Sequence, residues 1–239
     1  SGRVTAVLRA SAVAMDLGAE GAVLSALELG GSFRERFPKL RLIASGDAPV
    51  YNGAAIRLAA QQGFERITFS REIDVADMRA LTAVGAPLGL DFEAFVLGEW
   101  CVYNGALCFT CHGYGTDADF CTAHSVRLVL NTSAREAGLD RPAETRDVQE
   151  RARHAVSPHM RAFLGGCMLC GLEAFYAAGV RTFKVPGRSI EAVDAVRLVR
   201  GILDAGDLSP AGCRRAVGDA SFCDGSNCRI DPPDVAGTP

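Results

Sequence analysis

Nine cysteines in 239 residues, and the way they are spaced, are the first chemistry this sequence offers. Cys101, Cys108, Cys111 and Cys121 fall within "CVYNGALCFTCHGYGTDADFC", among Gly, Asn, Thr and His rather than inside an apolar run. Cys167 and Cys170 form a later pair, Cys223 and Cys228 another, and Cys213 stands alone. Thiolates are soft ligands for iron-sulfur clusters and zinc. The odd count, with first residues that lack the basic-then-apolar profile of a signal peptide, disfavours a disulfide framework and leaves metal or cluster ligation as the leading reading. A cubane cluster takes four thiolates, with a flexible loop supplying some and the fold closing the site with at least one more. Zinc is the competing occupant, because the C-x2-C pair Cys108 and Cys111 could join a second such pair, Cys167 and Cys170, in a tetrahedral site. Cys213, on a helical stretch, reads as packing.

Other polar residues sit where barrel enzymes do chemistry. Lys184 and Arg188 flank the turn "KVPGRS", with Ser189 able to cap the following helix and Glu191 in its first turn. Basic side chains beside a helix start suit a carboxylate or a phosphate. Asp91 and Glu93 alternate with Phe92 and Phe95 on the strand before the cysteines, so both acids are expected on one side, where Arg71 and Glu72 also project. Interior charges are costly unless paired or used. Tyr51 and Asn52 open a helix directly after a strand end, placed to bind substrate, although Asn is equally a good cap. His112 and His124 bracket Cys121, and a histidine there could donate a proton. The candidate catalytic residues are therefore Asp91, Glu93 and His112, and the candidate substrate-binding residues Tyr51, Asn52, Arg71, Lys184 and Arg188.

What must position these residues is legible as an alternation of two periods. Apolar side chains at Val4, Val7, Leu8 and Met15 mark one helical face, and Gly18 then breaks the pattern before a short apolar run. "SFRERFPKL" precedes the strand-like "RLIASGD", "YNGAAIRLAAQQG" precedes "RITFSRE", and "DVADMRALTAVG" precedes "LDFEAFVLG". Further on, "SVRLVLN" reads as a strand, Thr132 to Arg153 as solvated helix or loop, and "CGLEAFYAAGVRTFKVPGRSIEAVDAVRLVRGILDAG" as helix, strand, turn and long helix. Such alternation implies a parallel sheet covered by helices, and no Gly-rich dinucleotide fingerprint follows a strand. A (β/α) TIM-type barrel is therefore preferred to a Rossmann fold. The expected organisation is a barrel over 1–206, with a Cys-rich insertion at about 99–124 on the catalytic face, and a tail over 207–239.

Composition bounds the partners. With 49% hydrophobic and 22% charged residues the chain can bury a full core. A net charge of -3 and a pI near 5.8 make nucleic acid a disfavoured partner. No apolar run approaches the roughly 18 residues of a membrane span, and a cytoplasmic protein is expected. Neither H-E-x-x-H nor G-x-S-x-G occurs, so peptidase chemistry finds no motif.

The succession "YNGAAIRLAAQQGFERITFSRE", "DFEAFVLGEWCVYNGALC" and "AAGVRTFKVPGRS" resembles the U32 family, once called collagenase-like peptidases, several members of which are iron-sulfur proteins of oxygen-independent hydroxylation. The likeness spans most of residues 20–206. It implies a 4Fe-4S cluster on four cysteines: two separated by six residues, a third a dozen or more further on, and a fourth shortly before a helix that ends in Ala-Gly-Val. By position those are Cys101, Cys108, Cys121 and Cys167, with gaps of six, twelve and forty-five residues. It implies a hydroxylase of quinone precursors or RNA bases, and the acidic balance favours a small aromatic substrate. It also implies an N-terminally incomplete barrel, since members carry about two further strand-helix units ahead of the region that starts at Ser1. A second U32-like chain, a homo-oligomer or an electron donor protein are the partners this suggests, and a non-catalytic electron-transfer or scaffold subunit is the alternative role. Two departures from the family pattern are Leu97, where many members carry histidine, and Pro186, where an acidic residue is usual.

Overall fold

A computed structural model of the chain describes residues 2–98, 166–186 and 190–218. The strand expected at "SVRLVLN", the segment from Thr132 to Arg153 and the final residues lie outside them.

Helix α1 (Gly2–Asp16) leads into β1 (Gly21–Leu24), α2 (Gly30–Arg36) into β2 (Arg41–Ala44), α3 (Gly53–Gln61) into β3 (Arg66–Thr68), and α4 (Val75–Gly85) into β4 (Asp91–Phe95). The strands β5 (Leu97–Gly98) and β6 (Gly166–Cys167) form a small antiparallel ladder. Helix α5 (Leu172–Ala177) then precedes β7 (Thr182–Lys184), and α6 (Ile190–Ala205) and α7 (Pro210–Val217) follow. The main sheet is parallel throughout, in the order β1-β2-β3-β4-β7. Strand order that follows chain order is singly wound, since right-handed crossovers then lay their helices on one face. A dinucleotide-binding sheet reverses its order at a switch point, and the described strands contain no reversal.

Local chemistry explains the boundaries. At the end of α3, Gly63 takes a left-handed φ of 83°, which lets Gly63 N–H reach the carbonyl of Ala60 and Phe64 N–H that of Ala59. This closes the helix and turns the chain into β3, and a side chain at that φ would be strained. Left-handed glycines at 18, 89 and 179 stand at the same place ahead of β1, β4 and β7. At the starts, Asn52 Oδ1 accepts from Ala55 N–H at 3.0 Å and Asp74 Oδ1 from Asp77 N–H at 2.7 Å. Each such cap stabilises its helix by about 1 kcal/mol.

The two faces of the sheet differ sharply. Register places Leu42, Ala44, Ile67, Phe92, Ala94 and Phe183 on the helix side, and the first five are buried to 2% exposure or less. On the other face lie Val23, Ile43 and Phe95 together with Arg66, Thr68, Asp91, Glu93, Thr182 and Lys184. The helix side is thus apolar, and the opposite face carries the charged side chains of the described strands among a few apolar ones.

One expectation needs adjusting. On α1 the stripe that packs against the core is Leu8, Ala12 and Met15, whereas Val7 is 41% exposed, because the helical rotation carries it to the edge of that stripe. The helical stretch around Cys213 is α7, which packs against α6 and the turn Leu169–Gly171 and so belongs to the body of the fold.

Candidate functional site

Because the strands are parallel, their carboxyl ends collect on one edge. Ser45 and Gly46 follow β2, Ser70, Arg71 and Glu72 follow β3, Phe95 ends β4, and Lys184 ends β7. Phe95 organises this edge. The Arg71 guanidinium carbon stands 3.8 Å from the centre of its ring and Lys184 Nζ 5.2 Å, so two cations share one aromatic side chain. Neither has a carboxylate partner among the described residues. Gly46 makes room for the ring: a Cβ there would lie 2.7 Å from Phe95 Cε2. Beside it, the Ser70 hydroxyl donates to Glu72 Oε2, and Tyr51 Oη lies 3.4 Å from Ser70 Oγ.

Cys167 is joined to this edge through the backbone. Val96 N–H donates to the carbonyl of Lys184 at 3.1 Å, and Met168 N–H donates to the carbonyl of Val96 at 2.9 Å. Leu97 pairs with Cys167 across the antiparallel ladder. Cys167 is 5% exposed. A thiol on a backbone fixed from two sides fits a cluster ligand, which must be soft, shielded and held in place. In sequence Cys101 comes three residues after Gly98, a separation that any backbone spans in at most about 11 Å.

The two expected acids part company. Asp91 opens β4 at the amino end of the sheet, where the Arg66 Nε donates to its Oδ2 at 2.7 Å. Glu93, two residues nearer the cations, accepts from the Thr68 hydroxyl at 2.7 Å. The alternation expected of Phe95 with these acids does not occur, because residues 91, 93 and 95 are two apart and share a face, while Phe92 points to the helices. That parity is the signal the sequence carries for Phe95. Gly46 carries no such signal, since its role depends on a ring that is distant in sequence. Asn52 is the cap of α3. Arg71 and Lys184, expected in separate settings, are brought together. Arg188, His112, Cys101, Cys108 and Cys121 lie outside the described residues.

Three thiols, Cys167, Cys170 and Cys213, gather where β6, the following turn and α7 meet, although no group of three metal-binding side chains has ligand geometry among the described residues. Burial, followed by the charges of Cys170, Asp207 and Cys167, pushes the Cys213 thiol from 9.0 up to about 12. Its neutral form is thus favoured by folding: the contribution is full below pH 9, where both states are protonated, and is lost as pH rises towards 12. Iodoacetamide at pH 8 is expected to leave Cys213 unlabelled in the folded chain, its thiolate fraction being about a thousandfold below that of a free thiol. Labelling at the unfolded rate, followed by mass spectrometry, would contradict this placement.

No curated protein and no solved structure matched the chain. No helix among the described residues is long and apolar enough to cross a membrane. The family profile described as Peptidase family U32 matches residues 4–216, which takes in the whole sheet, the carboxyl edge and α7 up to its last turn. The chain therefore belongs to Peptidase family U32.

Proposed function

We propose that the chain folds as a (β/α) barrel holding one 4Fe-4S cluster on Cys101, Cys108, Cys121 and Cys167, and that it acts as an oxygen-independent hydroxylase of a small aromatic or quinone-precursor substrate. The observation that carries this reading is the place of Cys167: buried, on the ladder that continues β4, and tied through Val96 to the strand end that bears Lys184. Family membership supports it, and so does a singly wound sheet whose second face is polar. When bound, the cluster would handle the electrons released by the substrate or activate an oxygen donor other than O2.

The chain's own residues do the rest. Lys184, with Arg188 across the turn, holds an acidic group of the substrate. Glu93, its carboxylate oriented by the Thr68 hydroxyl, moves a proton on the polar face. Asp91, locked to Arg66 at the opposite end of β4, braces the sheet. A second chain is accommodated on α1, where Val7 and Val13 are 41% and 60% exposed.

The test is turnover. Anaerobically purified protein, left oxidised and offered phenol and benzoate as probes in labelled water with ferricyanide to take up the two electrons released, should yield a product carrying one added oxygen in the absence of O2, and cluster-free protein should not. Product formed only when O2 is admitted would sink the reading, as would product formed equally well without iron.

A further inference from the structure

We infer that the Arg71–Phe95–Lys184 group is a seat for a carboxylate, and that the ligand of this protein is a carboxylate-bearing aromatic. The seat rests on the described residues alone, whereas the aromatic nature of its ligand rests on the functional reading above. Two cations are held half-buried on one ring, and no acid pairs with either among the described residues. Partial burial leaves both charges less screened by solvent than at the open surface. An incoming anion offsets that cost, so the arrangement favours one.

Geometry selects the kind of anion. At 3.8 Å from the ring centre, the Arg71 guanidinium lies on the face of Phe95. A guanidinium held on a ring face still has N–H edges free to meet a ligand, and the contact limits its freedom before any ligand arrives. A planar fork of parallel N–H donors matches the two oxygens of a carboxylate. Lys184 adds a point charge whose three donors swing to a remaining lone pair. Gly46 leaves room for the ring, since a side chain there would displace Phe95. Glu72 is kept turned towards Ser70 by the hydroxyl that donates to it.

Calorimetric titration of the full-length chain with benzoate, benzamide and inorganic phosphate tests the seat, with iron measured in each preparation. Benzoate should bind at least tenfold more tightly than benzamide, which has the same shape without the charge, and more tightly than phosphate. Arg71→Gln and Lys184→Gln should each weaken benzoate by roughly tenfold to a hundredfold, the worth of a charge-assisted contact, with benzamide unaffected. Arg71→Lys, which keeps the charge and loses the fork, should fall between. Equal binding of benzoate and benzamide would overturn the seat, and so would unchanged benzoate affinity in either glutamine variant with wild-type circular dichroism. Tighter binding of phosphate would overturn the choice of a carboxylate. Should Arg71→Gln not fold, Lys184→Gln decides the question by itself. Iron is read separately: iron-free protein that binds benzoate through Arg71 upholds the seat against the hydroxylase reading, and iron-loaded protein indifferent to benzoate does the reverse.

Discussion

Cys167→Ala is expected to leave the anaerobically purified chain without iron, whereas Cys213→Ala should retain it. Both thiols are buried, at 5% and 0% exposure, so both replacements remove a similar volume from the core and each costs on the order of 1–2 kcal/mol in packing. Loss of stability alone therefore cannot separate them, and iron content can. Cys167 sits on the ladder that joins β4 to the site, and its backbone neighbours Val96 and Met168 hold it there. Cys213 faces the carbonyl of Leu208, its sulfur 3.6 Å away, within a helix that packs behind the site. Cys101→Ala, Cys108→Ala and Cys121→Ala are expected to lose iron as Cys167→Ala does. Full iron in any one of these four would remove that residue from the ligand set, and iron loss in Cys213→Ala would bring α7 into it.

Phe92→Ala lowers the unfolding free energy by about 3–5 kcal/mol, the usual range for a buried aromatic truncated in a core. Phe92 is 2% exposed and stacks on Phe69 with ring centres 5.2 Å apart and planes inclined by 13°. Helix α4 comes so near that a Cβ on Gly85 would lie 2.5 Å from Phe92 Cζ. The ring thus packs between the Phe69 side chain and the end of α4. Urea unfolding followed by circular dichroism reads the effect as a lower midpoint. A loss below about 1 kcal/mol would mean that the helix layer does not pack on β4 as described.

Much of the fold was legible because its signals are local. The glycine stops at 18 and 63, the caps Asn52 and Asp74 and the apolar runs of β2 and β4 each act within a few residues, and the corresponding elements stand close to where the periodicity puts them. The barrel that the alternation implies goes further than the described strands, which establish a parallel, singly wound sheet. The site was less legible because it depends on register between distant strands. Lys184 meets Phe95 only because β7 pairs with β4 across nearly ninety residues of sequence. Arg71 reaches the same ring from the loop after β3. Neither convergence is encoded in spacing, whereas the shared face of Asp91, Glu93 and Phe95 is, by simple alternation. The candidate ligand Cys167 was marked by family resemblance, and its pairing with Leu97 across the ladder was not legible in spacing.

Everything proposed for the chemistry depends on the cluster, and iron together with acid-labile sulfide, measured on anaerobically purified full-length protein alongside its visible spectrum, decides whether it is there. About four irons and about four sulfides per chain are expected, with a broad visible absorption that bleaches on reduction. Stoichiometric zinc with neither iron nor sulfide would contradict the proposal.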